Sequence, residues 1–418
     1  MSAPAVQQRG GYFLLTWEEE FVAADVRRVR ESGDHVRAEV TWRSIAPGEA
    51  PHLHSSVLSL TSSSAKASVD RSLSAVHPDK PWARIIEQLA FTVVRLYRKG
   101  EPIVALRTGG EQPATIPLAI EPFVYEDLPF VFFGEPGSGK SYLAVLLAAL
   151  GATQARISGV PFGARREFVP LILDWESHEQ DLRSRVSRVE QGLEASLDGR
   201  IHYRFCAGPL SRSIDQLVES TTDLAPDLVI IDSLGPAAGG DLNSAQSAQE
   251  FFEALRQLRC TAIILAHCAK NGDPRFRSIF GSQFFTAHAR GVAEVKRFQE
   301  PGDDEVSIGV YHRKSNVSRK HRPFGLRMRF DGDDGPVTFG WQDLRDVPAL
   351  ARSLSVGDRV MNALRSGALA PAAIAEATDT AGGTVRSALA RLKGKGKVIQ
   401  LDGGIYGLPE GERDYAPF

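Results

Sequence analysis

The sequence is most constrained around residues 130–150, where an apolar segment runs into a glycine-rich loop and then into helical sequence. Phe130-Val-Phe-Phe precedes Gly134-Glu-Pro-Gly-Ser-Gly-Lys-Ser141, and an apolar helical pattern continues from Tyr142 to Leu150. The loop matches G-x-x-x-x-G-K-[ST] in the strand, loop and helix context that this pattern requires. We therefore predict a phosphate-binding loop at the start of a helix.

Each residue type of this loop has a physical role at a triphosphate. Glycines let backbone N–H groups curl around phosphate oxygens, and the following helix offers unpaired N–H donors and the positive end of its dipole. Lys140 would reach the β- and γ-phosphates, while the Ser141 hydroxyl would bind Mg²⁺. The predicted residues of the ATP site are Gly134, Glu135, Pro136, Gly137, Ser138, Gly139, Lys140, Ser141, Tyr142 and Asp232.

Asp232 is the predicted second anchor of the metal ion. It ends the apolar segment Asp227-Leu-Val-Ile-Ile-Asp232, about 90 residues after the loop. An aspartate at the end of a neighbouring strand holds Mg²⁺ in P-loop ATPases. The alternative is an aspartate that merely ends a strand. The predicted metal ligands are Ser141 and Asp232.

The carboxylate that orients the attacking water must come from elsewhere, because Ser233 and Leu234 follow Asp232 where many such ATPases have a glutamate. The strand Val169–Leu173 leads into Asp174-Trp-Glu176. Its carboxyl end should lie beside the phosphates, since open α/β sheets bind ligands there. We predict Glu176 as this base and Asp174 as the second choice. Solvated acids at a strand end are the alternative.

A histidine ends another predicted core strand. His267 follows Thr261–Ala266, and a polar residue at this point can sense the γ-phosphate and transmit its presence to the next loop. That loop carries Arg275 and Arg277, which are candidate DNA contacts. The alternative for His267 is a histidine whose hydrogen bonds are satisfied at a strand end, and the alternative for the two arginines is a solvated loop.

The wider pattern predicts an α/β protein with three folded parts. Residues 1–100 combine a hairpin around Ser32-Gly-Asp34 with two helices, which indicates a small α+β domain. Residues 101–332 alternate apolar strands with helices, which is typical of a parallel sheet covered on both faces. Residues 333–354 are rich in proline, glycine and aspartate and are predicted to be a linker. Residues 355–418 have a sequence pattern that predicts three short helices and a hairpin.

Composition excludes several classes of protein. The chain has 418 residues, 43% hydrophobic and 24% charged, with a net charge of −2, which favours two or three globular domains. Three cysteines are too few for a disulfide framework. The sequence contains neither an apolar run long enough to span a membrane nor a secretory signal. A cytoplasmic protein without a membrane partner is expected.

Taken together, the loop, Asp174-Trp-Glu176, Asp232-Ser233, Ala266-His267 and Gly281-Ser282 resemble the RecA-like P-loop ATPase superfamily, in particular the RepA-like (AAA_25) and DnaB-like hexameric helicases. The resemblance covers residues 105–332. It implies a RecA-like core, ATP and Mg²⁺ as cofactors, and a homo-hexameric ring. It also assigns catalysis to Glu176 and the γ-phosphate sensor to His267.

In this superfamily a basic residue of the neighbouring subunit completes the site. DnaB-like members use a Lys-x-Arg pair on a late strand. Within Tyr311-His-Arg-Lys-Ser-Asn316, Lys314 matches the lysine and Asn316 stands in place of the arginine. Arg313 or Arg319 would then supply the guanidinium that this chemistry needs. A basic surface loop or a direct DNA contact is the alternative. The predicted catalytic residues are Glu176, Lys140, His267, Lys314 and Arg313.

Residues 356–408 resemble a winged helix-turn-helix, with residues 382–392 as its recognition helix. Residues 356–397 hold seven Lys or Arg and three Asp or Glu, a local charge of +4. This favours DNA binding, with docking of a protein partner as the alternative. The candidate DNA-binding residues, including the loop arginines, are Arg275, Arg277, Thr384, Arg386, Arg391, Lys393, Lys395 and Lys397.

The predicted function is an oligomeric Mg²⁺-dependent ATPase that binds single-stranded or duplex DNA and couples hydrolysis to translocation, unwinding or remodelling. The alternative is a switch or loader that does not translocate and that binds DNA or a protein through its winged helix. A recombinase-like filament is a third reading. Residues 1–100 match no family that we can name, and a structural or oligomerising role is expected for them.

Overall fold

The computed structural model describes residues 2–9, 11–100, 103–105, 115–269, 278–281 and 283–409. The chain forms two compact units. The first contains residues 1–115, 209–225 and 250–259, and the second contains residues 116–208, 226–249 and 260–418.

The first unit is built on a five-stranded antiparallel sheet, in which the strands follow one another in chain order. Its elements are β1 Ala5–Arg9, β2 Tyr12–Trp17, β3 Val22–Ser32, β4 His35–Ser44, β5 His52–Ser59, α1 Ser63–Val76 and α2 Trp82–Lys99. Alternation along β4 turns Val36, Ala38, Val40 and Trp42 inward, where they pack with α1 and α2. The predicted hairpin and both predicted helices are present.

The second unit begins with the part of the chain that carries the glycine-rich loop. Its first elements are β6 Leu118–Glu121, β7 Val124–Tyr125, β8 Pro129–Gly134, α3 Lys140–Thr153, β9 Gly163–Ala164, β10 Pro170–Asp174, α4 Glu179–Leu193 and β11 His202–Phe205. They are followed by α5 Leu210–Ser220, β12 Leu228–Asp232, α6 Leu234–Ala238, α7 Ala245–Gln257, β13 Thr261–His267 and α8 Gln283–His288. Of these, α5 and most of α7 belong to the first unit.

The remaining elements complete the second unit. They are β14 Gly291–Phe298, β15 Glu305–Ser315, β16 Phe324–Phe330, β17 Val337–Gln342, α9 Pro348–Ala351, α10 Val356–Ala363, α11 Pro371–Ala377, α12 Gly382–Gly394, β18 Ile399–Gln400 and β19 Tyr406–Gly407. Short 3₁₀ turns occupy residues 344–346, 364–366 and 402–404.

A nine-stranded sheet forms the centre of the second unit, in the order β11-β10-β12-β13-β8-β14-β15-β16-β17. The first six strands of this order run parallel and the last three add an antiparallel edge. Apolar residues fill β12 and β13 almost without interruption because both faces of the sheet are covered. The predicted mixed α/β fold with a RecA-like core is confirmed.

Residues 333–354, for which the sequence predicts a linker, are folded. They contain β17, which pairs with β16, and α9. Phe339 and Trp341 of β17 pack against the core of the large sheet, and Leu350 of α9 packs against the buried Tyr311. The linker prediction is wrong because it followed the proline, glycine and aspartate on either side of β17 and overlooked the short alternating pattern of the strand itself.

The C-terminal elements form where the sequence predicts three helices and a hairpin. Helices α10, α11 and α12 pack around Val360, Ile374, Val385 and Leu389. Strands β18 and β19 pair, and Tyr406 also exchanges backbone hydrogen bonds with Leu369. Among the described residues of both units, no helix has the length and apolar character needed to cross a bilayer.

Candidate nucleotide-binding site

The glycines of the predicted phosphate loop are required by its shape. Gly137 and Gly139 adopt φ angles of 72° and 88°, in the left-handed region that favours glycine. A Cβ at Gly134 would lie 2.3 Å from the carbonyl oxygen of Val295, so no side chain fits there. The loop therefore closes tightly between β8 and α3 and leaves its backbone free to surround an anion.

Lys140 lies in the concavity of this loop. Its side chain is buried, and Nζ donates to the carbonyl oxygens of Gly134 and Glu135, at 3.1 and 2.8 Å, and to Ser138 Oγ at 3.3 Å. Burial lowers the pKa of the ammonium, although nearby carboxylates, first Asp232, oppose this shift. The ammonium thus occupies the position from which a P-loop lysine serves phosphate oxygens.

Ser141 and Asp232 lie together, as a shared metal ion requires. Ser141 Oγ donates to Asp232 Oδ2 at 3.0 Å. Loss of hydration raises the pKa of Asp232 to about 6; the Ser141 hydrogen bond opposes this, while the charges of Glu176 and Asp174 add to it. A hydroxyl and a carboxylate in contact are oxygen ligands of the kind that Mg²⁺ prefers. The pair therefore fits the cation.

The ends of four parallel strands converge on the loop. Asp174 at the end of β10 pairs with Asp232 at the end of β12. On the other side of β12, β13 ends at His267, which pairs with Gly134 of β8. Because parallel strands share a carboxyl edge, the predicted acids and the histidine lie along one edge beside the loop.

Glu176 and Asp174 have different roles in this edge. Asp174 is buried, and its Oδ1 accepts the backbone N–H groups of Glu176 and Ser177 at 2.8 and 2.9 Å, so it shapes the turn. Glu176 is 43% exposed, and its Oε1 lies 3.5 Å from His267 Nε2. The geometry favours Glu176 over Asp174 as the carboxylate that meets water.

Two residues that the sequence reasoning missed contact this site. The buried Ser233 donates its hydroxyl proton to Glu176 Oε1. Arg297 Nη1 donates to the carbonyl oxygen of Gly137 in the loop at 2.9 Å. Ser233 directly follows Asp232, at the position where many such ATPases have a glutamate, and its hydroxyl gives no sequence signal of a contact with Glu176. Arg297 lies on β14 and gives no local signal.

Tyr142, which the sequence predicts at the ATP site and at the start of the helix, packs against β16 and α4. Its ring meets that of Phe330 edge to face, with centroids 5.2 Å apart, and the guanidinium of Arg185 lies 5.9 Å from it. Tyr142 therefore joins the start of α3 to β16 and α4.

The candidate trans-acting residues differ in their surroundings. Arg313 donates from Nε and Nη2 to Oε2 of the buried Glu294, at 2.9 and 2.5 Å. Lys314 Nζ donates to three carbonyl oxygens at the end of α8, those of Thr286, Ala287 and Ala289. Arg319 is exposed and has no acidic partner in the part of the chain that the structure describes. Of the two arginines, Arg319 is the one whose guanidinium is exposed and has no carboxylate partner within the described residues.

The candidate DNA contacts of the C-terminal part are accessible. Thr384, Arg386, Arg391 and Lys393 are exposed on α12, opposite its buried face of Val385, Ala388, Leu389 and Leu392. Lys395 is exposed and Lys397 is half-buried, both after the helix, and Lys393 Nζ donates to Gln400 Oε1 at 2.8 Å. Arg275 and Arg277 lie outside the described residues.

The match to a known protein family includes the residues of this site. Residues 103–273 match the family model of the AAA domain. Among solved structures, the chain is similar to a KaiC-like protein of the hyperthermophilic archaeon Pyrococcus horikoshii OT3, with 16% identity over 53% of this chain and 93% of that chain and a TM-score of 0.37. A search of curated proteins found no match. The family match and the geometry of the site support a P-loop ATPase.

Proposed function

We propose that this protein is an oligomeric, Mg²⁺-dependent ATPase that binds DNA and couples hydrolysis to translocation, unwinding or remodelling of the DNA. The observation that carries the proposal is the convergence of Lys140, Asp232, Glu176 and His267 at one sheet edge. This arrangement joins anion binding, metal binding and a water-facing carboxylate, which are the parts that phosphoryl transfer to water needs.

Each residue of the site has a separate role in binding or hydrolysing ATP. The loop amides and Lys140 would bind the phosphates, and Ser141 with Asp232 would hold Mg²⁺, which neutralises charge on the phosphate oxygens when bound. Glu176 orients a water molecule and accepts its proton. His267, 3.5 Å from Glu176 Oε1, stands where it can respond to the γ-phosphate and alter that carboxylate.

DNA binding is assigned to residues 355–409, in a winged helix-turn-helix arrangement. Four residues, 378–381, connect α11 to α12, and a turn of this length is typical of the helix-turn-helix. The hydrogen bonds between Leu369 and Tyr406 form an isolated β-bridge beside the β18 and β19 hairpin. Exposed Arg386 and Arg391 on α12 suit phosphate contacts.

A ring of identical subunits, with a hexamer as the expected form, follows from the resemblance to DnaB-like ATPases. Arg319 is our candidate for the residue that reaches a neighbour's nucleotide, because the charge of Arg313 is engaged by Glu294 in its own chain. The loop that carries Arg319 connects β15 to β16, at the antiparallel edge of the sheet.

A second candidate function is an ATP-dependent switch or loader that docks through the same C-terminal helices without moving along DNA. The observation that favours it is the composition of α12, whose exposed surface offers three positive charges, a threonine and a serine but no amide side chain to read adenine. The same surface would then contact a protein or the DNA backbone.

The decisive experiment is the steady-state ATPase rate of the full chain without DNA, with single-stranded DNA and with duplex DNA, using Lys140→Ala as the inactive control. Strong stimulation by single strands, followed by strand displacement in an unwinding assay, would support the motor. Stimulation by duplex alone, or none with either DNA, would reject the motor in favour of the switch.

A further inference from the structure

An arginine-rich groove lies on the outer face of the antiparallel sheet in the first unit. Its basic residues are Arg28 and Arg30 of β3, Arg37 of β4, and Arg212 of α5, and His35 lies beside them. All of these residues belong to the same compact unit. The other face of the sheet, which carries Val36 and Ala38, is buried against α1 and α2. The groove is therefore a solvent-facing feature of a well-packed sheet.

Arg30 and Arg37 stand directly opposite each other on neighbouring strands. Like charges in this position destabilise a sheet unless something else compensates for them. Both side chains are exposed, and neither has an acidic partner among the residues that the structure describes. Replacing either arginine with a neutral residue would remove this repulsion, yet both are present in the sequence.

The acids of the groove are already engaged. Arg28 lies 2.8 Å from Glu39 and 3.5 Å from Asp215, which are the two acidic residues that line the groove. Arg212 is exposed and, like Arg30 and Arg37, lacks a carboxylate partner within the described ranges. Three guanidinium charges therefore remain uncompensated along one face.

The chemistry of the lining indicates which anion the groove would take. Ser32 and His35, directly opposite each other, add short polar groups on the same face as Arg30 and Arg37. Guanidinium groups match phosphate oxygens in a planar, two-point geometry. Apart from the His35 ring, the lining has no aromatic side chain, so it lacks the row of rings on which successive nucleic acid bases stack. It is suited to a row of phosphates rather than to base edges.

We propose that this groove binds the phosphate backbone of a nucleic acid, and that the first unit is a sequence-independent nucleic acid contact rather than a purely structural module. The proposal adds a second contact surface to the proposed function. It depends neither on the C-terminal helices nor on hydrolysis, so its failure and theirs are distinguishable.

The test compares two variants of the full chain that lose the same charge. Arg30→Gln with Arg37→Gln removes the facing pair, whereas Arg71→Gln with Arg84→Gln removes two exposed arginines from α1 and α2. Binding of a fluorescein-labelled single strand and of a labelled duplex is measured by anisotropy over a series of salt concentrations.

The groove variant is expected to bind about five- to tenfold more weakly. The slope of log affinity against log salt should fall by about 1.4 to 1.8, because two phosphate contacts are lost. The α1 and α2 variant should bind as the wild type does. Both should keep the ATPase rate measured without DNA, since neither pair lies in the nucleotide site. Wild-type affinity and salt slope in the groove variant would overturn the proposal.

A charge-preserving variant separates electrostatics from folding. Arg30→Lys with Arg37→Lys keeps both charges and should retain most of the affinity and the salt slope. If it binds as weakly as the glutamine variant, shows the same reduced salt slope and unfolds at a lower temperature than the wild type, the loss reflects altered structure and the proposal is wrong. Thermal unfolding gives a second readout: removal of the repulsion should leave the melting temperature of the glutamine variant equal or higher.

Arg386→Gln with Lys393→Gln, made in parallel, isolates the C-terminal surface. Loss of binding in the groove variant together with normal binding in this variant would support the groove and reject DNA binding by α12. The opposite pattern would reject the groove alone.

Discussion

Glu176 Oε1 lies 3.5 Å from His267 Nε2, although Glu176 follows β10 and His267 ends β13, two strands that are separated by β12 in the sheet. The hydroxyl of Ser233, just after β12, donates to the same oxygen. Three consecutive strands of the sheet therefore each contribute one side chain to a single cluster. One oxygen of the proposed base is held by two neighbours, while the side chain remains 43% exposed to water.

Glu176→Gln is the most direct test of the base. The amide keeps the shape of the side chain but cannot accept a proton, so kcat should fall by about 10²- to 10⁴-fold while ATP binding persists. ATP affinity and steady-state hydrolysis would be measured on the same preparation. Glu179→Gln, on exposed α4 sequence three residues later, is the matched control. Hydrolysis at the wild-type rate by Glu176→Gln would show that another group activates the water.

Ser233→Ala tests the positioning of that base. Loss of the hydroxyl frees Glu176 Oε1, and we expect kcat to fall about tenfold with little change in KM, because the substituted residue would not touch the nucleotide. Ser177→Ala is the control, since its backbone N–H rather than its hydroxyl contacts Asp174. A rise in KM with unchanged kcat in Ser233→Ala would contradict a positioning role.

The parts of the site that could be predicted from the sequence are those that depend on residues adjacent in the chain. Strand, loop and helix follow one another around Lys140, and an apolar strand ending in an acid marks both Asp232 and Asp174. Shared direction of parallel strands then brings these ends to one edge, so the approach of Glu176 to the loop follows without knowledge of side-chain positions.

What could not be predicted depends on partners far apart in the chain. Arg297 reaches Gly137 across β14 and β8, and Arg30 faces Arg37 through a strand register that includes a bulge. Strand β17 is short, and it forms because it pairs with β16 rather than because of its own composition. Such features depend on tertiary pairing, which a local pattern does not encode.

Two arginine substitutions should separate structure from activity. Glu294 is 1% exposed, and its carboxylate is bonded by Arg313 and lies 3.3 Å from Lys296 Nζ. Arg313→Ala should therefore destabilise the protein by roughly 3 kcal/mol, because a buried carboxylate loses its main partner.

The matched substitution, Arg319→Ala, should leave stability within about 0.5 kcal/mol. If Arg319 completes a neighbour's site, the ATPase rate of the oligomer should fall at unchanged ATP affinity. Thermal unfolding and hydrolysis at high protein concentration check both statements. Normal hydrolysis by Arg319→Ala would remove it as the trans-acting residue.

A buried histidine in the second unit predicts a loss of stability in mild acid. His312 is 6% exposed and packs against Phe123, with ring centroids 4.6 Å apart, and against His321. Its Nδ1 accepts the backbone N–H of His321 at 3.1 Å, and Nε2 is buried without a hydrogen-bond partner among the described residues. Burial, and secondarily His321, lowers the pKa of His312 from 6.5 to about 4.

The direction of the pH effect follows from which state binds the proton. Between pH 6.5 and about 4 the unfolded chain protonates His312 while the folded chain keeps it neutral, so its contribution is complete above pH 6.5 and is lost as the pH falls. The loss should reach about 2 kcal/mol at pH 5. His312→Phe should lower the free energy of unfolding by about 1 kcal/mol at pH 7.5, because the backbone N–H of His321 loses its acceptor. The free energy of unfolding of this variant should, however, depend less on pH than that of the wild type. Chemical denaturation at pH 5 and pH 7.5 measures the difference, and His178→Gln, at an exposed position, is the control. Equal pH dependence of the wild type and His312→Phe would show that the pKa of His312 is not lowered in the folded protein.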